Sequence, residues 1–548
     1  MRVLGINALF HDPAAALVVD GVTVAAAEEE RFSRRKHGKR PVPFAAWELP
    51  EQSARWCLQR GALRPADLDA VAYSYDPALA ESAESLGLAD PWDWLRQEYA
   101  ARAPSFLAAA LPGLDPARVR FVAHHVAHAA SAGLAAPGSD VHAAVMVLDG
   151  RGESASHLAG VYRRGELEVL ATQRLPHSLG LVYEDATDHL GFLRSSDEFK
   201  VMALASYGKP RHLDFFRQAI TADGAGGLRT QPIDWGELCP RREPGSQGWS
   251  AEHADVAASL QRRLEEVLQD LAEWLYVAAG GPTRLVMAGG VALNCVANAH
   301  LAAKGPFSSV WVQPAAGDAG TALGAALHVA RLAGYVVHPM PGADLGPDYA
   351  EPELEHTLRQ ARVPYQRPGS VAGAAAEVLA RDGVVAWFQG RGEYGPRALG
   401  RRSLLAHPGR SHNVERLNQV KGREQFRPVA PMVLAERAEE LFDGVLPSPY
   451  MLFTHDVRPE WRDRIPAVVH VDGTARIQTV DRYREPLLAD LLTRFEQRTG
   501  LPVVVNTSLN TAGRPMVQSP RDALELYGSA PIDLLVLGPF TASRGDLG

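Results

Sequence analysis

Cysteine is scarce in this chain: three in 548 residues, Cys57, Cys239 and Cys295, far apart and with no Cys-x-x-Cys pair. That spacing excludes zinc ribbons and disulfide-stapled scaffolds, and it fits a reducing, cytoplasmic setting. Long apolar runs are missing as well. None reaches the roughly 20 residues needed to cross a bilayer, so no membrane partner is expected. The chain opens at once on a strand-like segment, Met1-Arg-Val-Leu-Gly-Ile6, and no secretion signal is expected before it. Nor is there an excess of positive charge: Lys and Arg number 56 against 64 Asp and Glu, a net −8 with neutral His. A mildly acidic chain offers no footprint for nucleic acid. With 46% hydrophobic and 22% charged residues the composition is that of a globular protein. Its length predicts at least two domains.

Residues 1–30 read as a hairpin: strands Val3 to Ile6, Ala14 to Val19 and Val22 to Glu28, with Asp20-Gly21 as a turn. A basic stretch, Arg31 to Arg40, follows, then a helix over Glu51 to Arg60. Strand His142 to Leu148 stops at Asp149-Gly-Arg-Gly-Glu153, and strand Thr283 to Ala288 runs into Gly289-Gly290. Glycines after buried strands let a backbone approach phosphates and supply N–H groups for an anion. With Gly317 to Gly324 as a fourth such loop, the pattern points to a nucleotide cleft. His338 to Pro347 is the best linker. Beyond it, strand Gly383 to Phe388 opens a second domain, giving domains 1–340 and 341–548. Segments 80–110 and 222–250 read as surface insertions.

The segment Arg120-Phe-Val-Ala-His-His-Val-Ala-His-Ala-Ala-Ser131 carries the most chemistry. On a helix, His124 and His128 stand at i and i+4 and project from one face. That suits a divalent metal. A metalloprotease needs Glu after the first His, and His125 occupies that place, so the protease reading fails. Asp318 in Ala315-Ala-Gly-Asp-Ala-Gly-Thr321 is the best third ligand. Two histidines satisfied by hydrogen bonds in a packed helix remain an alternative on spacing alone, as does a register using His125 with His128. At the tip of the first hairpin, Asn7-Ala-Leu-Phe-His-Asp12 offers His11, with Asp12 beside it. Beside a nucleotide cleft, such a histidine can take a proton from an alcohol.

The second domain concentrates cations and amides. They lie in Gly390 to Ser403, Asn418 to Pro428, Ala475-Arg-Ile-Gln-Thr479 and Val505-Asn-Thr-Ser-Leu-Asn510. These cations sit among Gly, Pro, Asn and Ser rather than along a helix face. That favours a converging anion site over a solvated basic surface.

Taken together, the motifs resemble the antibiotic and nodulation-factor O-carbamoyltransferase family over essentially the whole chain. Its marks are Phe10-His-Asp-Pro-Ala-Ala-Ala16, Glu28-Glu-Glu-Arg-Phe-Ser33, His124-His-Val-Ala-His-Ala129, Leu148-Asp-Gly-Arg-Gly-Glu153 and Glu198-Phe-Lys-Val-Met202. Gly289-Gly-Val-Ala-Leu-Asn294, Gly392-Glu-Tyr-Gly-Pro-Arg-Ala-Leu-Gly400 and Asn506-Thr-Ser-Leu-Asn510 complete the set. The resemblance implies an α/β chain with an actin-like, sugar-kinase-like (Kae1-like) N-terminal domain and a YrdC-like C-terminal domain. It implies that carbamoyl phosphate and ATP yield a carbamoyl adenylate, whose carbamoyl group passes to a hydroxyl of a small-molecule natural product.

By the same resemblance His124, His128 and Asp318 hold a divalent metal, Fe2+, and Mg2+ accompanies ATP. Asn7, Asp149, Gly150, Gly152, Lys200, Gly289, Gly290, Asn294 and Gly317 line the nucleotide. Arg391, Arg397, Lys421, Arg427, Arg476, Asn506 and Asn510 hold carbamoyl phosphate. His11, Asp12, Lys421 and Arg476 are the catalytic set, with His11 as base. Lys36-His-Gly-Lys-Arg-Pro-Val-Pro-Phe-Ala-Ala-Trp47 is basic and then apolar, with Phe44 and Trp47. That disfavours a polycationic acceptor, and the segment looks similar to ansamycin carbamoyltransferases, a resemblance that implies a polyketide macrolactam hydroxyl as acceptor. A tRNA threonylcarbamoyl-pathway enzyme and a non-catalytic actin-like ATP-binding regulator stay open. So does the oligomeric state, monomer or homodimer.

Overall fold

The computed structural model describes residues 1–38, 49–138, 142–246 and 248–546, which divide into two compact units, Met1–Ala343 and Asp344–Gly548. In the first unit β1 (Arg2–Asn7), β2 (Ala14–Val19) and β3 (Val22–Glu28) form an antiparallel meander. β4 (Ala70–Tyr73) and β5 (Val119–Phe121) add in parallel beside β1, giving the order β3-β2-β1-β4-β5. The same arrangement then recurs. β6 (Ala143–Leu148), β7 (Ala155–Arg163) and β8 (Glu166–Arg174) form a second meander. After a separate ribbon of β9 (Ile220–Ala222) and β10 (Leu228–Thr230), strands β11 (Arg284–Ala288) and β12 (Ser309–Val312) complete a sheet ordered β12-β11-β6-β7-β8. Both sheets are three antiparallel strands followed by two parallel ones added beside the first. That duplication is the actin-like, sugar-kinase-like architecture.

The central strands β1, β2 and β6 are buried along almost their whole length. Their Val, Ile, Leu and Ala runs therefore lack the polar alternation of a half-exposed sheet. Two helices lie between the sheets: α1 (His124–Gly133) directly after β5, and α3 (Ala319–Leu332) soon after β12. The long helix α2 (Ala251–Ala278) precedes β11. Small residues let α1 and α3 approach closely. A Cβ at Gly324 would stand 1.8 Å from the Ala127 carbonyl oxygen, so only glycine fits there without parting the helices. Gly324→Ala should destabilise the protein by about 1–3 kcal/mol, the range for overpacked cores. Chemical denaturation reads this; a change below about 0.5 kcal/mol, as for an ordinary surface site, would show that the helices part without cost.

Two sequence expectations are corrected here. Residues 317–324 are not a loop: the helix begins at Ala319, and every residue from Ala319 to Leu327 is buried, so its small and apolar residues pack on all sides despite Gly320 and Gly324. Segment 80–110 is not a surface insertion. It contains two helices, Asp93–Ala101 and Ala103–Ala110, whose Ala100, Ala103 and Leu107 join a core with Tyr73 and Tyr75. Phe44 and Trp47, on which the acceptor expectation rests, lie outside the described residues. Among those described, no helix is long and apolar enough to cross a membrane.

The second unit is α/β in class and is built on a mixed seven-stranded sheet. Its strands are β13 (Val385–Phe388), β14 (Arg402–Ala406), β15 (Ala430–Leu434), β19 (Gln478–Val480), β20 (Val503–Ser508), β21 (Leu534–Leu537) and β22 (Phe540–Ser543). They run in the order β19-β15-β20-β14-β13-β21-β22, and β16 (Phe442–Asp443), β17 (His455–Val457) and β18 (Thr474–Ala475) form a smaller sheet. Helices α4 (Asn413–Lys421) and α5 (Pro486–Thr499) deliver residues to the sheet. Glu393 organises the loop between β13 and β14. Its carboxylate accepts from the backbone N–H groups of Leu399 (2.8 Å), Arg401 (2.9 Å) and Arg402 (3.1 Å).

Candidate functional site

In the first unit the tips and ends of both sheets meet. The β6–β7 tip carries Asp149, the end of β11 carries Gly289-Gly290, and the loop after β12 carries Gly317-Asp318. Gly290 N–H donates to Asp149 Oδ1 at 2.8 Å, and Gly289 N–H donates to the Ala316 carbonyl at 2.8 Å. Gly289 has φ +93, and a Cβ there would fall 2.1 Å from the Leu148 carbonyl oxygen. The glycine is needed so that these loops can close on one another.

At this junction His124, His128, Asp149 and Asp318 form a buried cluster whose ligand atoms all lie within 4.8 Å of one another. His124 Nε2 stands 3.3 Å from Asp149 Oδ2 and 3.6 Å from Asp318 Oδ1. His128 Nε2 stands 3.5 Å from Asp318 Oδ1 and 3.8 Å from Asp149 Oδ2. Two imidazoles and two carboxylates are a donor set for a borderline divalent cation. The structure passes a direct test of fit: His128 is fully buried, yet neither ring nitrogen has a hydrogen-bond partner among the described residues. A buried imidazole left unpaired is costly, and a cation bound at Nε2 would relieve it. Burial raises the Asp149 carboxyl, but His124 and His128 more than reverse this and hold it well below the usual carboxylate range. Asp149 is therefore ionised beside the two imidazoles in the metal-free protein.

A supporting layer fixes the ligands. His124 Nδ1–H donates to the Ser74 carbonyl at 3.2 Å, which leaves Nε2 as the donor atom. The Ser74 hydroxyl donates to Asn7 Oδ1, and Thr321 ties the Ser74 hydroxyl (2.8 Å) to the Asp318 carbonyl (2.6 Å). Glu153 accepts from the N–H groups of His124 and Asp76 and so caps the start of α1. Ser74, Thr321 and Glu153 carry no sequence signal for this role.

His125 takes no part. Its ring packs on Gly152, and burial, reinforced by the neighbouring His124, pushes its imidazole down to about 3. His125→Ala should retain bound metal and His124→Ala should lose it, as read by metal analysis of the purified proteins. The reverse result would restore the His125 register.

The remaining first-unit residues divide. Asn7 anchors the hairpin tip, its amide donating to the carbonyls of His11 (2.8 Å) and Asp12 (3.0 Å). Gly150 abuts Gly180 at the start of the Leu179–His189 helix, and Gly317 lies near Asp12. Asn294 caps the Cys295–Lys304 helix and exchanges hydrogen bonds with Gln261, so its side chain is already occupied. Lys200 pairs with Asp197 at 3.0 Å.

In the second unit Lys421, buried at the end of α4, points at the end of β20. Its ammonium donates to the Ser508 hydroxyl (2.9 Å), Asn510 Oδ1 (2.6 Å) and the Ser508 carbonyl. Asn506 donates to the Ala398 carbonyl (3.1 Å) and Gln478 Oε1 (2.7 Å), while its own carbonyl oxygen is buried and unpaired. Burial pushes the Arg423 guanidinium down to about 9, with Arg427 and Arg476 adding to the effect. Arg427 and Arg476 therefore lie near enough to repel the Arg423 charge, while Arg423 itself donates to Asn418 Oδ1 at 2.6 Å. Arg397 sits on the loop that Glu393 organises. Arg391 instead donates to the backbone carbonyls of Leu345 and Gly346.

Comparison with known proteins follows this geometry. A family profile described as "Carbamoyltransferase N-terminus" matches residues 2–225 and 240–327, and one described as "Carbamoyltransferase C-terminus" matches 376–544. An uncharacterized protein of Synechocystis sp. is 37% identical over 617 residues, covering 99% of this chain and 97% of that protein. Nodulation protein NolNO of Sinorhizobium fredii is 38% identical, covering 98% of this chain and 80% of the relative. Nodulation protein NolO of Bradyrhizobium diazoefficiens is 40% identical over 77% of this chain and 78% of its own length. Matches to both halves, from residue 2 to residue 544, place this chain in the carbamoyltransferase family, and it is a carbamoyltransferase enzyme.

Proposed function

We propose that the protein uses ATP and carbamoyl phosphate to carbamoylate a hydroxyl of a natural product, through a carbamoyl adenylate. The observation that carries this reading is the buried His124–His128–Asp149–Asp318 cluster, set where the glycine-rich strand ends of the two sheets meet, in a chain of this family. On this reading residues 1–340 transfer the carbamoyl group and residues 341–548 form the adenylate.

In the second unit Lys421, Arg397, Arg427 and Arg476, with Asn506 and Asn510, bind carbamoyl phosphate, and Arg423 adds to the positive field. Arg391 shapes the nearby loop through the Leu345 and Gly346 carbonyls. A dianion among several partly desolvated cations is stabilised as charge develops on the departing phosphate. Water attacks the phosphorus and the P–O bond to the carbamoyl group breaks, releasing phosphate and carbamate. A carbamate oxygen then attacks the α-phosphorus of ATP, and pyrophosphate leaves with the electron pair of the broken P–O bond.

In the first unit Gly150, Gly152, Gly289, Gly290 and Gly317 supply close backbone approach for the nucleotide, with Asn7, Lys200 and Asn294 at its edges. A divalent ion, iron(II) on the family reading, held by His124, His128, Asp149 and Asp318 would polarise carbamoyl or phosphate oxygens as a Lewis acid. Asp12 and its histidine partners manage the acceptor's proton. Mg2+ accompanies ATP.

For the acceptor, a macrolactam hydroxyl remains the proposal from Lys36 to Trp47. Carbamoylation of a macrolactam in preference to an aminoglycoside or a lipo-oligosaccharide, followed by mass spectrometry, supports it; the opposite preference rejects it. The chemistry itself is tested without any acceptor. Carbamoyl-phosphate-dependent AMP and pyrophosphate are expected from ATP, even in a single turnover. ADP instead would reject the adenylate.

A further inference from the structure

A second histidine group lies on the β1–β2 tip. Asp12 bridges two imidazoles: its Oδ2 is 2.7 Å from His11 Nδ1, and its Oδ1 is 2.7 Å from His37 Nδ1. The two rings are 4.6 Å apart between centroids. His11 Nε2 in turn contacts the Ser195 carbonyl. His37 Nε2 is buried and, among the described residues, has no hydrogen-bond partner.

Donor and acceptor accounting separates the two histidines. A carbonyl only accepts, so His11 Nε2 carries a proton and gives it to Ser195. His11 Nδ1 faces a carboxyl. It is either a second N–H, making His11 an imidazolium beside carboxylate Asp12, or a lone pair accepting from protonated Asp12. In both cases His11 has no lone pair left for a substrate. His37 differs. With Nδ1–H donated to Asp12, its Nε2 lone pair is uncommitted. The alternative tautomer would bury an N–H with no acceptor, a costly arrangement.

The backbone holds this arrangement against strain. Asp12 (φ +45), His37 (φ +58) and Ser195 (φ +53) all adopt left-handed conformations that ordinary residues avoid. His37 N–H is also pinned to Glu30 Oε2 at 2.8 Å. Strain kept at three residues of one small group marks a site whose geometry is over-determined.

We infer that His37, rather than His11, accepts the acceptor hydroxyl's proton, with Asp12 orienting it and His11 serving as the positioning residue that holds Asp12. The inference rests on the carbamoyl-transfer reading above. In the step, the acceptor O–H bond breaks and its proton moves to His37 Nε2. The oxygen bonds to the carbamoyl carbon, and the carbon–oxygen bond to the leaving phosphate group breaks, its electron pair staying on that oxygen. The charged groups facing His37 are Asp12, His11 and Glu30. Burial lowers the His37 pKa, and Asp12 only partly opposes this, so the ring is neutral near pH 7 as a base must be.

The test uses full-length protein labelled with 15N-histidine, with His37→Gln and His11→Gln spectra assigning the rings. His37 should appear as the neutral Nδ1–H form at pH 7, and His11 should offer no titrating lone pair. Methanol then serves as a minimal acceptor, with methyl carbamate measured as product. His37→Gln should lower its formation by about 10²- to 10⁴-fold, the usual contribution of a general base. The acidic limb of the pH–rate profile, where protonation silences the base, should vanish with it, while carbamoyl-phosphate-dependent AMP formation persists. An Nε2–H tautomer at His37, or wild-type methyl carbamate formation by His37→Gln, overturns the inference. Loss of AMP formation from the wild type rejects the adenylate reading instead. Without methyl carbamate from the wild type, the tautomer spectrum alone decides His37.

Discussion

Purified His128→Ala protein is expected to bind divalent metal more than about 100-fold more weakly than the wild type. Losing an outer-shell partner of a ligand already costs roughly 10- to 100-fold, and His128 would be an inner ligand. The change removes an imidazole whose nitrogens make no hydrogen bond among the described residues, so no hydrogen bond is lost with it. Asp149→Asn should weaken metal to a similar degree, because the amide keeps the acceptor for Gly290 N–H but not the charge. Titration with iron(II) and with zinc measures both. Unchanged affinity in His128→Ala would mean that the cluster is a buried hydrogen-bonding group and not a metal centre.

Part of that cluster is legible in the sequence. An i, i+4 histidine pair after a short strand specifies a shared face as soon as the segment is helical, and α1 begins at His124. Asp318 could be picked out because it stands among glycines and alanines that have no other polar group. Asp149 could not be sorted. A carboxylate at a glycine-rich strand end reads equally as a nucleotide or a metal residue until the fold brings it 3.3 Å from His124. Residues 317–324 misled for a related reason: glycine suggests a turn, yet here it lets two helices touch. His37 was hidden inside a basic run that reads as surface charge. Its pairing with Asp12 spans 25 residues and depends on left-handed backbone that no spacing rule announces. In the second unit the motifs could not distinguish Arg391, which donates to backbone carbonyls, from Arg423, which stands near Arg427 and Arg476.

Lys421→Met should reduce carbamoyl-phosphate-dependent AMP formation by about 10²- to 10³-fold, the range for removing one preorganised charge from a reacting centre. Its ammonium holds together the end of β20 through Ser508 and Asn510, so both the field and the shape of the anion site would suffer. Lys421→Arg should fail to rescue, because a planar fork cannot replace a compact three-donor ammonium among these acceptors. Rates at saturating ATP with varied carbamoyl phosphate make the measurement. Normal rates in Lys421→Met would move the activating site elsewhere in the unit.

The duplicated sheets have one more consequence. Helices α1 and α3 follow the last strands of the two copies, so they are equivalent elements, and the β1–β2 and β6–β7 tips are likewise equivalent. The first copy provides His124 and His128; the second provides Asp149 and Asp318. An ion at the centre would therefore join the two copies. Any ligand that favours the arrangement in which these four residues converge would tighten the ion, and the ion would favour that arrangement by the same factor.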